Sequence, residues 1–266
     1  MINSWLLKGA IAALTFIEVV DAIQTSGSDI NAFPEFDLAM QSGGGFQWKS
    51  YGVQTIDGYN VTLFNLIGDQ SGVKLESPAG PVLLMHGMFS GTLDWLSTPQ
   101  IELPSTAVQL AQEGYDVWIA SARGRPFSRT HATLSADDPL TAAEYWAYSY
   151  EEIGMYDLPA FIDTIIQERK GKCDKVTIVA HSTAVNSALV LASKEPAISN
   201  KVAGILGVGP CLNVNVDDWF FAERDISSVQ AIYNFMAQLG ITNLFGVDHA
   251  ERVDVVCSNP AYAGIC

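Results

Sequence analysis

The chain has 266 residues, 48% of them apolar and 16% charged. This composition excludes a disordered polyelectrolyte and provides a sizeable core for one large domain or two small ones. The formal net charge of -15 argues against a polyanionic partner, because a phosphate backbone would be repelled, so no nucleic acid is expected.

The N-terminus reads as an export signal. A short start carrying Lys8 precedes the apolar run GAIAALTFIEVV, and Val20-Asp21-Ala22 offers small residues to a signal peptidase. Residues 1–22 are therefore expected to be a cleaved signal peptide. The run is shorter than the roughly 20 residues that cross a bilayer, and no later stretch does better, so no transmembrane anchor is expected. Residues 23–45 are polar and turn-rich, end in SGGG and read as a linker.

From Phe46 the pattern changes. WKSYGVQTIDGYNVTLFNLI alternates around Asp57-Gly58 as a β-hairpin does. PVLLMHG (Pro81 to Gly87) reads as a buried strand ending in a turn. STAVQLAQEGY has helical spacing closed by Gly114, and DVWIASARG (Asp116 to Gly124) is a second buried strand. Helical stretches follow around Tyr145 to Met155 and Leu158 to Lys170. KVTIVAHS is the next strand, AVNSALVLASKE the next helix and VAGILGVG (Val202 to Gly209) a further strand. Apolar strands alternating with amphipathic helices predict an α/β fold with a mostly parallel sheet covered on both faces. After Pro210 the rhythm stops. DDWFFAERDISSVQAIYNFMAQLG is aromatic and reads as helical, and no further buried strand follows before Cys266.

Four cysteines fit an oxidising compartment. A disulfide between Cys257 and Cys266, in CSNPAYAGIC, would close a short loop worth roughly 2–3 kcal/mol. Cys173 and Cys211 read as buried free thiols. Asn60-Val61-Thr62 is an N-glycosylation acceptor if the chain is secreted.

VTIVAHSTAVNSALVL (Val176 to Leu191) holds the chemistry. Its AHSTA resembles a G-x-S-x-G nucleophile elbow with alanine at both glycine positions, Ala180 and Ala184. In such an elbow the serine sits on a sharp strand-to-helix turn, and small residues are needed because strand and helix backbones nearly meet there. A serine-threonine pair at a helix start is also an ordinary N-cap. The second element needed is an oxyanion donor in the loop after an earlier strand. His86-Gly87-Met88 lies there, with the Met88 amide as one donor and the Thr183 amide as the other. The alternative for His-Gly is a plain strand-terminating turn.

YGVQTIDGYNVTLF, HGMFSGTLDWL, LAQEGYDVWIASARGRPFSRTH and YWAYSYEEIGMYDLPAFIDTII, followed by the elbow, occur in that order over about residues 46–210. This set resembles the acid lipases, the lysosomal and gastric lipases and their relatives. The resemblance implies an α/β-hydrolase fold and hydrolysis of neutral lipids, triacylglycerol or sterol ester, at a lipid–water interface. It implies no cofactor, no metal, and passage through the secretory pathway to a secreted, lysosomal or vacuolar destination. By position, Ser182 matches the nucleophile, and Met88 and Thr183 match the oxyanion-hole residues. Arg123, Arg129 and His131 match a block read here as structural, and Asp157 reads as a helix cap.

Two departures set further expectations. The Ala184 methyl falls where strand and helix pack closest, so any backbone shift there would misaim the hydroxyl. The family pattern also needs two strands after a cap domain, one bearing an acid and the next a histidine. Neither is visible, so residues 211–266 are expected to be the start of the cap, with the chain stopping inside it. His249, the one histidine after Ser182, lies in the polar GVDHAERVD and reads as a surface residue. Three functional expectations result: a serine ester hydrolase, a catalytically inactive lipid- or protein-binding homologue, or a fragment whose exposed sheet edge promotes aggregation.

Overall fold

The structure is a computed structural model. It describes residues 32–69, 71–88, 90–97, 104–170 and 172–212. The expected signal peptide, the aromatic segment after residue 212, His249, Cys257 and Cys266 lie outside the described residues.

Seven strands form one mixed sheet: β1 Gln47–Gln54, β2 Tyr59–Gly68, β3 Pro81–Met85, β4 Asp116–Ser121, β5 Thr130–His131, β6 Val176–His181 and β7 Val202–Val208. The spatial order is β1-β2-β4-β3-β6-β7, with the short β5 beside β2. β1–β2 and β2–β4 are antiparallel, whereas β4–β3, β3–β6 and β6–β7 are parallel. The Asp57-Gly58 turn joins β1 to β2 as the alternation predicts, and Gly58 supplies a φ of 97°.

Strand pleating divides the core between two layers. On one face Val82, Leu84, Val117, Ile119 and Val179 pack beneath helix α1 (Pro34–Gly43) and helix α2 (Thr106–Gln112). Alternate residues such as Leu83, Trp118 and Ile178 are equally buried and point to the other face. Helix α2 starts on Ser105, whose hydroxyl accepts from the Val108 amide, and is followed by Gly114 at φ 85°. Helix α1 lies inside the segment read as a linker. Phe36 and Met40, one turn apart, are buried, and Phe36 stacks on Phe64 with ring centroids 3.8 Å apart. The apolar residues of α1 are interspersed with acidic and small ones, a weak periodic signal, and Phe36 finds its aromatic partners, Trp48 and Phe64, on β1 and β2.

Residues 133–147 belong to a second compact unit. Within it, helix α3 spans Ala142–Tyr145, and the Trp146 indole donates to the Ala136 carbonyl. In the first unit, helix α4 (Tyr150–Glu152) runs through a π-helical turn (Ile153–Asp157) into helix α5 (Leu158–Glu168). Helix α5 buries Leu158, Phe161, Ile162 and Ile165, the i, i+3, i+4, i+7 set of an amphipathic helix. Helix α6 (Ala184–Lys194) follows β6, and the short helix α7 (Pro196–Ser199) leads to β7.

β7 is exposed along part of its length: Leu206 is 59% exposed and Val208 45%. Among the described residues β7 is an edge strand that pairs only with β6, as β1 is at the other end of the sheet.

Candidate active site

From β3 the chain crosses to β4 on one side, and β6 lies on the other side of β3. Loops leaving β3 and β6 therefore diverge, opening a crevice at the carboxyl ends of these strands, where open α/β sheets bind ligands. Met85 and Ala180 are register partners there. The next residues are His86-Gly87-Met88 on one strand and His181-Ser182-Thr183 on the other.

Ser182 sits at φ 56°, in the left-handed region that a serine rarely adopts. The strain is held from both sides. The Ser182 amide donates to the Val208 carbonyl at 2.9 Å, and the Ser182 carbonyl accepts from the Val185 amide at 3.1 Å in the first turn of α6. Backbone strain of this kind, on a turn between a buried strand and a helix, is the geometry of a nucleophile elbow. The two alanines do not prevent it. Ala180 is fully buried beside Gly207, which has no side chain to compete, and Ala184 is 4% exposed at the start of α6.

The β3 loop is pinned against this turn. His86 is buried; its Nε2 accepts from the Ala122 amide at 3.1 Å, so its Nδ1 carries the proton and donates to the Gly87 carbonyl at 3.0 Å. Burial holds the His86 pKa down to about 4, which keeps the ring neutral. The Gly87 amide donates to Ser90 Oγ at 2.7 Å. Met88 is 52% exposed, and its carbonyl accepts from the Arg125 guanidinium. A cavity of about 350 Å³ opens between the two loops. Met85, Met88, Ala122, Tyr148, Ile153 and Ala184 give it an apolar wall, while Arg125, Ser149 and Thr183 are among its polar lining.

Ser182 Oγ lies 3.4 Å from Cys211 Sγ, a free, half-buried thiol. Asn186 Nδ2 donates to the Cys211 carbonyl at 3.4 Å, tying the end of β7 to α6. The histidines of the described region have other settings: His86 is committed to the backbone, His131 Nε2 contacts the Asp57 carbonyl at 2.9 Å, and His181 ends β6.

Arg123, which also lines the cavity, is the centre of a group of ion pairs. Arg123 Nη1 and Nη2 donate to the Asp57 carboxylate at 2.6 and 2.9 Å. Its Nε and backbone amide donate to Asp157 at 2.8 and 2.9 Å. The guanidinium also lies over the Tyr59 ring, 4.0 Å from its centroid. Burial works against the Arg123 charge, but the two carboxylates prevail and raise its pKa. Complete burial pushes Asp157 up to about 6, against the pull of Arg123. Asp157 is therefore not the helix cap its position suggested. It makes no capping bond, sits inside the π-helical turn and serves as an internal counter-ion.

Asn60 is half-buried within β2. Its Oδ1 accepts from Gln54 and its Nδ2 donates to Thr130 Oγ1, each at 3.1 Å. Cys173 is free and half-buried. Sequence reading did not reach Arg125 or Cys211 as neighbours of the elbow. Each belongs to a strand end that only the sheet order brings there.

Two family models match the chain: a partial alpha/beta-hydrolase lipase region over residues 39–99 and the alpha/beta hydrolase fold over residues 80–252. The chain belongs to the α/β-hydrolase family. Within that family it groups with the acid lipases. This α/β-hydrolase is 32% identical to human lipase member K over 189 residues, covering 69% of this chain and 45% of the relative. It is 27% identical to mouse gastric triacylglycerol lipase over 233 residues, covering 82% and 55%. Against human lysosomal acid lipase/cholesteryl ester hydrolase it is 31% identical over 170 residues, covering 64% and 41%. The chain spans about half the length of these relatives.

Proposed function

We propose that this chain is a lipase-type serine ester hydrolase acting on neutral lipids, triacylglycerol or sterol ester, with Ser182 as nucleophile. The observation that carries the reading is the left-handed backbone of Ser182 at the end of β6, next to the β3 loop. Ser182 Oγ attacks the ester carbonyl, an acyl-serine forms as the alcohol departs, and water then releases the carboxylic acid. The developing oxyanion is held by the amides of Met88 and Thr183. The bonding within the β3 loop supports this choice of donor: the Gly87 amide is taken by Ser90 Oγ, and Met88, the next residue, lines the cavity. The N-terminus of α6 adds its positive end to the same place. The apolar wall of the cavity suits an acyl chain.

Two of the relatives named above are a triacylglycerol lipase and a cholesteryl ester hydrolase, which supports a lipid ester substrate and a secreted or lysosomal destination. A signal peptide at residues 1–22, a glycan on Asn60 and a Cys257–Cys266 disulfide belong to the same reading. No described helix is long and apolar enough to cross a membrane.

A second reading, a lipid-binding homologue without turnover, is favoured by one observation. The described neighbour of Ser182 Oγ is the Cys211 thiol rather than an imidazole. Without a base the hydroxyl stays protonated and weakly nucleophilic. Release of fatty acid from emulsified triacylglycerol and from a sterol ester separates the two readings. The hydrolase reading expects release that is abolished by Ser182→Ala. Release that is absent, or unchanged in that variant, would refute it and leave the binding reading.

A further inference from the structure

The cavity beside Ser182 carries the opposite sign to the chain around it. The net charge is -15, yet no described lining residue is an aspartate or glutamate, and two are arginines. The two arginines differ. Arg123 is saturated by Asp57 and Asp157. Arg125 donates to the Met88 carbonyl and meets no carboxylate within ion-pair distance among the described residues. A guanidinium has five N–H donors in a fixed fork, so most of those of Arg125 remain for a ligand. Burial lowers its pKa, only partly offset by Tyr148 and Asp94, so the charge is poorly solvated where it stands. Asp94 itself accepts from the Gly91 amide. A cation held in this way gains most from an anion brought by a ligand. Thr183 and Ala184, at the N-terminus of α6, line the same space and favour the same sign.

We propose that Arg125 recognises the carboxylate of a free fatty acid whose alkyl chain lies along the apolar wall of the cavity. Arginine suits the task because its planar fork pairs with both carboxylate oxygens. The choice of ligand rests on the lipid-ester reading, since a fatty acid is what that hydrolysis releases. The binding itself requires no turnover. In a working hydrolase such a site would retain product, and in an inactive homologue it would make the chain a fatty-acid carrier.

The test is calorimetric titration of the full chain with decanoate and with decan-1-ol at neutral pH. It is repeated on Arg125→Gln, Arg125→Lys and Ser182→Ala. The expected result is a preference for decanoate of about tenfold or more, as for a hydrogen bond to a charged group. Arg125→Gln abolishes the preference while leaving decan-1-ol binding within about twofold, which also shows that the variant folds. Arg125→Lys keeps part of the preference, and Ser182→Ala keeps all of it. No preference in the parent chain, a preference that survives Arg125→Gln, or equal loss of both ligands in both Arg125 variants would overturn the proposal. Absent ester turnover with the preference intact would remove the hydrolase reading and leave this site standing.

Discussion

A β-carbon placed on Gly87 would lie 2.8 Å from the Ser182 β-carbon and 3.3 Å from its Oγ. The β3 loop and the elbow thus fit together only because residue 87 has no side chain. Gly87→Ala must displace either the serine or the loop that carries the Met88 amide. Positioning errors of about 1 Å cost about a hundredfold in rate. Labelling of Ser182 by a serine-directed phosphonate is expected to slow by that order.

Gly154 gives a test with a reversed sign. Alanine in place of glycine inside a helix ordinarily stabilises by up to about 1 kcal/mol. Here the added carbon would sit 2.5 Å from the Ser187 carbonyl oxygen and 2.9 Å from the Val190 β-carbon. The π-helical turn and α6 cross with their backbones nearly touching, and α6 carries the elbow. Gly154→Ala is expected to destabilise by about 1–3 kcal/mol, read as a shift in the urea midpoint.

Arg123 is the hub of the buried charges, and its two partners are unequal. The Asp157 side chain is fully buried, whereas that of Asp57 is 27% exposed. Arg123→Met strands the Asp157 carboxylate and is expected to cost about 3–5 kcal/mol by urea denaturation. Asp57→Asn leaves Arg123 paired to Asp157 and should cost markedly less.

Two buried groups give opposite pH dependences in one window. Asp157 is raised to about 6 from an unfolded value of about 4, so its contribution is full below about 4 and is lost as pH rises through about 6. His86 is lowered to about 4 from about 6.5, so its contribution is full above about 6.5 and is lost as pH falls through about 4. In the parent chain these slopes offset one another. Asp157→Asn should steepen the loss of stability on acidification from pH about 6.5 to about 4, and His86→Gln should flatten it. Urea midpoints measured across that range check both slopes.

Much of this architecture was legible in the sequence because buried parallel strands announce themselves. PVLLM, DVWIAS and VTIVAH are continuous apolar runs, and each is a strand of the central sheet. The strand-to-helix turn at Ser182 was legible because the residue stands between such a run and a helical one. What escaped was whatever depends on sheet order. The Cys211 thiol reaches Ser182 because β7 lies beside β6 and ends at the same level. Arg125 reaches Met88 because β4 lies beside β3. Asp157 looked like a cap because a local pattern is visible in sequence and a buried arginine brought by a distant loop is not.

The proposal that Ser182 is the nucleophile is tested most closely by direct labelling. The full chain is treated with a fluorophosphonate, and the modified residue is located by peptide mass spectrometry, with Ser182→Ala as control. The account predicts a stoichiometric adduct on Ser182 that is absent from the control. A folded parent chain that takes up no phosphonate, or takes it up equally in the Ser182→Ala variant, would contradict it.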